Sequence, residues 1–159
     1  QSKIKTVLSM TVVNSMANDT ETPEQKIKET LGYKDDPYSK VEIGVNLTTD
    51  SEMAEFDYNA QMAYVAQIQA GSIDIMVMPE KLYQTLEKNE PFADLKELMG
   101  EEAFEKFGMQ TDTTHISITE SELEQELGVI YDPVCIAVPY SAPNQENAVK
   151  WIKSLDNRK

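Results

Sequence analysis

The sequence predicts an α/β fold, a three-layer α-β-α sandwich around a mixed sheet, formed by residues 1–159 as one domain. Three observations carry this. The run Ile73-Asp74-Ile75-Met76-Val77-Met78 is nearly continuous in apolar residues, as in a central strand covered on both faces. Helical patterns flank it from Tyr58 to Gly71 and from Pro79 to Met99, with only Gly71-Ser72 leading into the strand, which suits a crossover unit of a parallel sheet. Val41 to Leu47 alternates strictly, with Val41, Ile43, Val45 and Leu47 on one face and Glu42, Gly44 and Asn46 on the other.

Taken in order, Ile4 to Val13 is rich in β-branched residues and reads as a strand, and Asn14 to Thr22 as a loop. Thr22 before Pro23, with Gln25 three residues on, predicts a helix start, and Gly32 its stop. After the strand at Val41–Leu47, Asp50 or Ser51 is expected to cap a helix with Glu52 and Glu55 in its first turn. From Tyr58, the residues Met62, Val65, Ala66 and Ile68 have helical spacing and predict the buried face, with Gly71 as terminator. Leu82, Tyr83 and Leu86 should face inward from the helix opened by Pro79, and Phe92 to Met99 packs a second apolar turn.

Gly100 to Gly108 reads as a short amphipathic helix with Phe104 and Phe107 inside, followed by polar connection to His115 and a brief strand at Ile116 and Ile118. Thr119-Glu120-Ser121-Glu122 predicts a capping box before Leu123 and Leu127, and Gly128 ends that helix. Val129–Tyr131 and Val134–Val138 read as two short strands broken at Asp132-Pro133, either antiparallel neighbours or one bent edge. Asn144 to Leu155 is the last helix, buried through Ala148, Val149, Trp151, Ile152 and Leu155.

Composition limits function. The formal charge of −14, from 28 acidic and 14 basic residues, repels phosphate backbones and anionic lipid headgroups, so nucleic acid is not an expected partner. No apolar run approaches the ~20 residues that span a bilayer, and the chain reads as soluble. The start at Gln1-Ser2, directly before a strand and without Met, suggests an upstream segment. One cysteine excludes an intrachain disulfide; Cys135, between Val134 and Ile136, reads as a small buried hydrophobe. The eight methionines, among them Met62, Met76, Met78 and Met99, read as core packing.

No catalytic residue, metal site or cofactor is predicted. A single histidine, His115, excludes a site of two or more histidines, and its place before a strand favours a structural role. There is no Gly-x-Ser-x-Gly elbow, and the six isolated glycines form no phosphate loop or dinucleotide fingerprint. A hydrolase would require His115 within hydrogen-bond reach of a serine or of Cys135.

The passage Tyr64 to Met78, with Ala70-Gly71, Asp74 and the apolar strand, resembles the corresponding passage of extracellular solute-binding proteins. Phe92-Ala93-Asp94-Leu95 is similar to the family's Phe-x-Asp-Leu turn. Val134 to Pro143 followed by Asn147-Ala148-Val149-Lys150-Trp151-Ile152 is similar to its strand, small-residue turn and Asn-Ala-x-x-Phe-Ile helix, in the family's order. The resemblance implies a non-enzymatic, extracytoplasmic binding domain: one lobe of a type II periplasmic binding protein with a reduced remnant of the second. It resembles the shortened, membrane-tethered relatives on Gram-positive cells, extracellular lipoprotein-like and transport-related, with the anchor upstream of Gln1.

Such proteins bind at strand ends and helix N-termini. The implied ligand contacts are Thr48, Thr49 and Asp50, then Glu80, then Tyr140 and Ser141, each competing with a role in capping or turns. The expected partner is a small-molecule ligand or an envelope or membrane protein, with the domain itself a monomer. A protein-interaction module that kept the fold and lost the cleft is the alternative.

Overall fold

The structure, a computed structural model, describes residues 3–89, 91–119 and 122–155. Its elements follow in the order β1 (Lys5–Val12), α1 (Glu21–Thr30), β2 (Ser39–Gly44), α2 (Tyr58–Gln69), β3 (Ile75–Pro79), α3 (Glu80–Leu86), α4 (Leu95–Met99), α5 (Glu101–Glu105), β4 (Ile116–Ile118), α6 (Leu123–Leu127), β5 (Val134–Ala137) and α7 (Gln145–Leu155). The five strands form one mixed sheet in the order β2-β1-β3-β5-β4. β1 is parallel to both β2 and β3, whereas β5 runs antiparallel to β3 and to β4.

The period of two explains the three layers. On β3, Ile75 and Val77 enter the core beneath α1, α4, α5, α6 and α7, while Met76 and Met78 enter the core beneath α2 and α3. β5 divides in the same way, with Val134 and Ile136 on the first face and Cys135 and Ala137 on the second. The continuous apolar run at β3 is therefore a central strand, fully buried along its length, and the alternation of β2 is that of an edge strand with one inner face. Cys135 is buried, and burial, reinforced by the charges of Glu80 and Asp112, pushes its thiol well above the ordinary range.

Several local expectations are corrected. α1 begins at Glu21, not after Thr22: Asp19 accepts from the Glu21 N–H and from the Thr22 hydroxyl, so the acceptor that organises the start lies three residues earlier. No helix follows Asp50. Its carboxylate accepts from the N–H groups of Ala54 and Glu55 and closes a turn, and Asp57 is the cap of α2, accepting from Ala60 N–H at 2.9 Å. α2 also turns a different side to the core. Ala60 and Tyr64 are buried, with Tyr64 against Phe56 at a centroid separation of 5.1 Å, while Met62 and Val65 are exposed. Ile68 of the expected face is partly buried and packs against the same core, whereas Ala66 is exposed.

Val129–Tyr131 is not a strand, and β5 is an interior strand rather than an edge; the outer place belongs to β4. Glu120 and Ser121 of the expected capping box lie outside the described residues, and Glu122, the residue before α6, makes no side-chain cap. Both outer strands are covered by side chains. Glu24 Oε2 accepts from the Ile43 N–H of β2 at 2.9 Å. On β4, Gln110 Oε1 accepts from Ser117 N–H at 2.8 Å while its amide nitrogen reaches Ser117 O at 3.5 Å.

Asp74 joins the central strands to the last helix. It is fully buried, and it accepts from Ser9 N–H at 2.8 Å, Asn144 N–H at 2.8 Å and Asn144 Nδ2 at 3.0 Å, while its own N–H donates to Ser9 O. Asp74→Ala leaves three donors without their acceptor and is expected to destabilise the fold by about 3 kcal/mol or more. Asn144→Ala removes only the amide donor and should cost about 1 kcal/mol. Urea unfolding followed by circular dichroism checks both, and equal values for the two would contradict this account.

Candidate functional site

In an open α/β sheet the ligand crevice lies at the carboxyl ends of the strands, where successive connections leave in opposite directions. Here the chain leaves β1 through α1 to β2 on one side, then crosses back through α2 to β3 on the other. The switch point is therefore between the ends of β1 and β3.

That place is filled from within. The Tyr131 hydroxyl donates to Val13 O at 2.7 Å and stands 3.2 Å from Val77 O, where the pairing of β1 with β3 finishes. Tyr131 is buried, and burial raises its hydroxyl pKa far above the usual value, so it remains a donor at every physiological pH. The loop after β1 is tied to the same segment, with Ser15 Oγ donating to Leu127 O and Met16 N–H to Gly128 O. Gly128 has φ of 68°, and a Cβ there would lie 2.4 Å from Ala17 N, so only glycine allows this approach.

The six residues implied as ligand contacts do not converge. Thr48, Thr49 and Asp50 follow β2 at the carboxyl end of the parallel strands, and Glu80 follows β3 at the same end. Tyr140 and Ser141 lie at the opposite end, because β5 is antiparallel and its carboxyl end meets the amino end of β3; Ser141 O lies 3.7 Å from the position of a Cβ on Gly71. The direction of β5 therefore divides the six between two opposite ends of the sheet.

The residues at the carboxyl end are engaged locally. The Thr48 hydroxyl donates to Asp57, and Asn14 binds Thr49 twice, from Nδ2 to Oγ1 at 2.7 Å and from Thr49 N–H to Oδ1 at 3.0 Å. Two open grooves, of about 600 Å³ between α1 and β2 and about 630 Å³ along α7, lie elsewhere, and none of the six lines either.

A buried polar cluster that sequence reasoning did not assemble sits between α3 and β4. His115 is 1% exposed; its Nδ1 is 2.5 Å from Asp112 Oδ1, its Nε2 is 3.7 Å from Glu80 Oε1, and its ring lies 4.3 Å from that of Tyr83. The Ser117 hydroxyl donates to Glu80 at 3.0 Å, and Tyr83 donates to Asp112 at 2.9 Å and contacts the Thr114 hydroxyl. Burial pushes the Tyr83 hydroxyl strongly upward, and the neighbouring Asp112 adds to it. A His–Asp pair can orient a base, and among the described residues no hydroxyl or thiol is hydrogen-bonded to His115 Nε2. Among the described residues no group of three or more His, Cys, Asp or Glu is placed to hold a metal ion, and no helix is long and apolar enough to cross a membrane. The only sequence signal for the cluster was polarity just before a short strand.

Burial raises the Asp112 carboxyl, but hydrogen bonds from His115, Thr114 N–H and Tyr83 outweigh this and hold it below the ordinary range. A carboxyl whose folded pKa is depressed stabilises the fold above its unfolded value, near 3.9, and loses that contribution as pH falls through the folded value. Asp112→Asn should therefore be less stable than the native chain at pH 7, by roughly 1 kcal/mol, and the difference should shrink below about pH 4. Urea titrations at pH 7 and pH 3 measure it; a gap that widens in acid would contradict the assignment.

No family model, curated protein or solved structure matches the chain.

Proposed function

We propose that this chain is a non-enzymatic binding module of the solute-binding-protein type, reduced in length, whose working contact is with another protein and not with a solute held in a cleft. The extracytoplasmic, membrane-tethered setting implied by the resemblance belongs to the same proposal. The observation that carries it is the Tyr131 hydroxyl on the carbonyls of Val13 and Val77, which occupies the switch point where a sheet of this topology would take a ligand. The engagement of Asn14, Thr48, Thr49 and Asp50 in their own loops supports the same reading, since a polar ligand would have to replace bonds already made.

The motif residues behind the resemblance support it in a second way, because their roles here are structural. Gly71, with φ of 63°, ends α2; Asp74 ties β1 to α7; Asp94 caps α4 from Oδ1 to Glu97 N–H. They maintain a lobe without requiring a ligand.

A thermal-shift screen of amino acids, sugars, short peptides and metal ions is expected to give no saturable stabilisation. A solute at 100 times its Kd would add about 2.7 kcal/mol, and such a shift would overturn the proposal. Tyr131→Phe should lower stability by about 1 kcal/mol, measured by urea unfolding, because the Val13 carbonyl loses its donor.

A further inference from the structure

The outward face of α2 differs from the rest of the surface. Tyr58 is 78% exposed, Met62 57% and Val65 42%, and the spacing of four and then three residues aligns them in one stripe. The helix, YNAQMAYVAQIQ, carries no charged residue in a chain of net charge −14. At its N-terminal end the stripe meets a loop in which Asp50, Glu52, Glu55 and Asp57 are all exposed. No Lys, Arg or His occurs between Lys40 and Lys81, and the ion pairs formed by lysines in the described residues lie on other elements. Asp57 is held below the ordinary carboxyl range by the Thr48 hydroxyl and the Ala60 N–H, so its charge persists.

We propose that this stripe and its acidic loop form the docking surface for a cationic amphipathic segment of a partner protein, with Lys or Arg beside a short apolar helical stripe. This rests on the protein-contact reading above and names the chemistry of the partner. Charge complementarity selects the occupant. The apolar residues offer burial, and the uncompensated carboxylates at one end fix polarity and hasten encounter.

The same features disfavour two other occupants. Anionic lipid headgroups would meet the acidic loop. A second copy would bring another −14, and one helix face about 18 Å long falls short of the ~800 Å² per partner of a stable dimer. Both outer strands are capped by Glu24 and Gln110, so addition of a strand to the sheet meets competition that α2 does not present.

The test uses the whole chain, labelled with ¹⁵N, and a designed helical peptide of about 18 residues with a Leu/Phe stripe and lysines at one end. A glutamate-for-lysine version and a scrambled version are the comparison peptides, with phosphatidylserine vesicles as a further probe. The lysine peptide is expected to shift amides within residues 50–69, with a Kd that rises about tenfold on moving to high salt. Met62→Glu, and Glu52→Lys with Glu55→Lys, should each weaken binding about tenfold and leave the thermal midpoint unchanged, since all three side chains are exposed.

Equal binding of either comparison peptide, indifference to the two variants, uptake on the vesicles, or a dimer in ultracentrifugation that Met62→Glu abolishes would each overturn the assignment. Peptide shifts centred on another surface would remove α2 as the site and leave the protein-contact reading standing. Saturable stabilisation by a small solute would remove that reading as well.

Discussion

One buried carboxylate constrains the arrangement of the molecule. Asp74 lies where β3 begins, and its two oxygens receive the N–H of Ser9 on β1 and both the N–H and the side-chain amide of Asn144, just before α7. No cation faces it. Three convergent donors at the start of α7 and on β1 take the place of water around its oxygens. The exchange with Ser9 extends the β1–β3 ladder by side chain at the end where α7 starts, and α7 then lays Ala148, Trp151 and Ile152 across the core. The central parallel pair and the C-terminal helix are thus joined through a residue whose neighbours on both sides, Ile73 and Ile75, are fully apolar.

At the opposite end of the sheet the β1–β3 switch point is covered by a side chain. Tyr131 comes from the segment before β5, so the part of the chain that adds the antiparallel strand also supplies the plug at the β1–β3 switch point. The edges follow the same pattern. A glutamate from α1 and a glutamine from the loop before β4 satisfy backbone groups that would otherwise be templates for another strand. Besides the two grooves beside α1 and α7, the exposed face of α2 presents Tyr58, Met62 and Val65.

Much of this fold was legible in the sequence, for physical reasons that differ between elements. β3 was legible because two-sided burial leaves no position for a polar residue between Ile75 and Met78, and β2 because one-sided burial enforces alternation. The face of α2 was legible only in part, since apolar residues occur on several sides of it: Ala60 and Tyr64 are buried and Ile68 partly so, while Met62 and Val65 are exposed. The start of that helix at Tyr58 was legible, but the separate helix expected after Asp50 does not form: Asp50 and Asp57 are equally good acceptors in sequence, and the bridge between Thr49 and Phe56 reveals that the first of them serves a turn. The His115 cluster joins residues from positions 80 to 117, and no local pattern records which polar residues a long loop will bring together.

The direction of β5 has the largest functional consequence and was the least legible feature. Its side chains alternate between the same two cores whichever way it runs, so burial pattern carries no information about direction. Antiparallel placement sends Tyr140 and Ser141 to the amino end of β3 and brings the residues before β5 to its carboxyl end. One reversal therefore does two things: it divides the six residues implied as ligand contacts between two ends of the sheet, and it delivers Tyr131 to the β1–β3 switch point. A parallel β5 would have required a crossover and would have left the ends of β1 and β3 without that hydroxyl. The separation of Tyr140 and Ser141 from Thr48, Thr49, Asp50 and Glu80, and the seating of Tyr131 on the carbonyls of Val13 and Val77, are consequences of the same topological step.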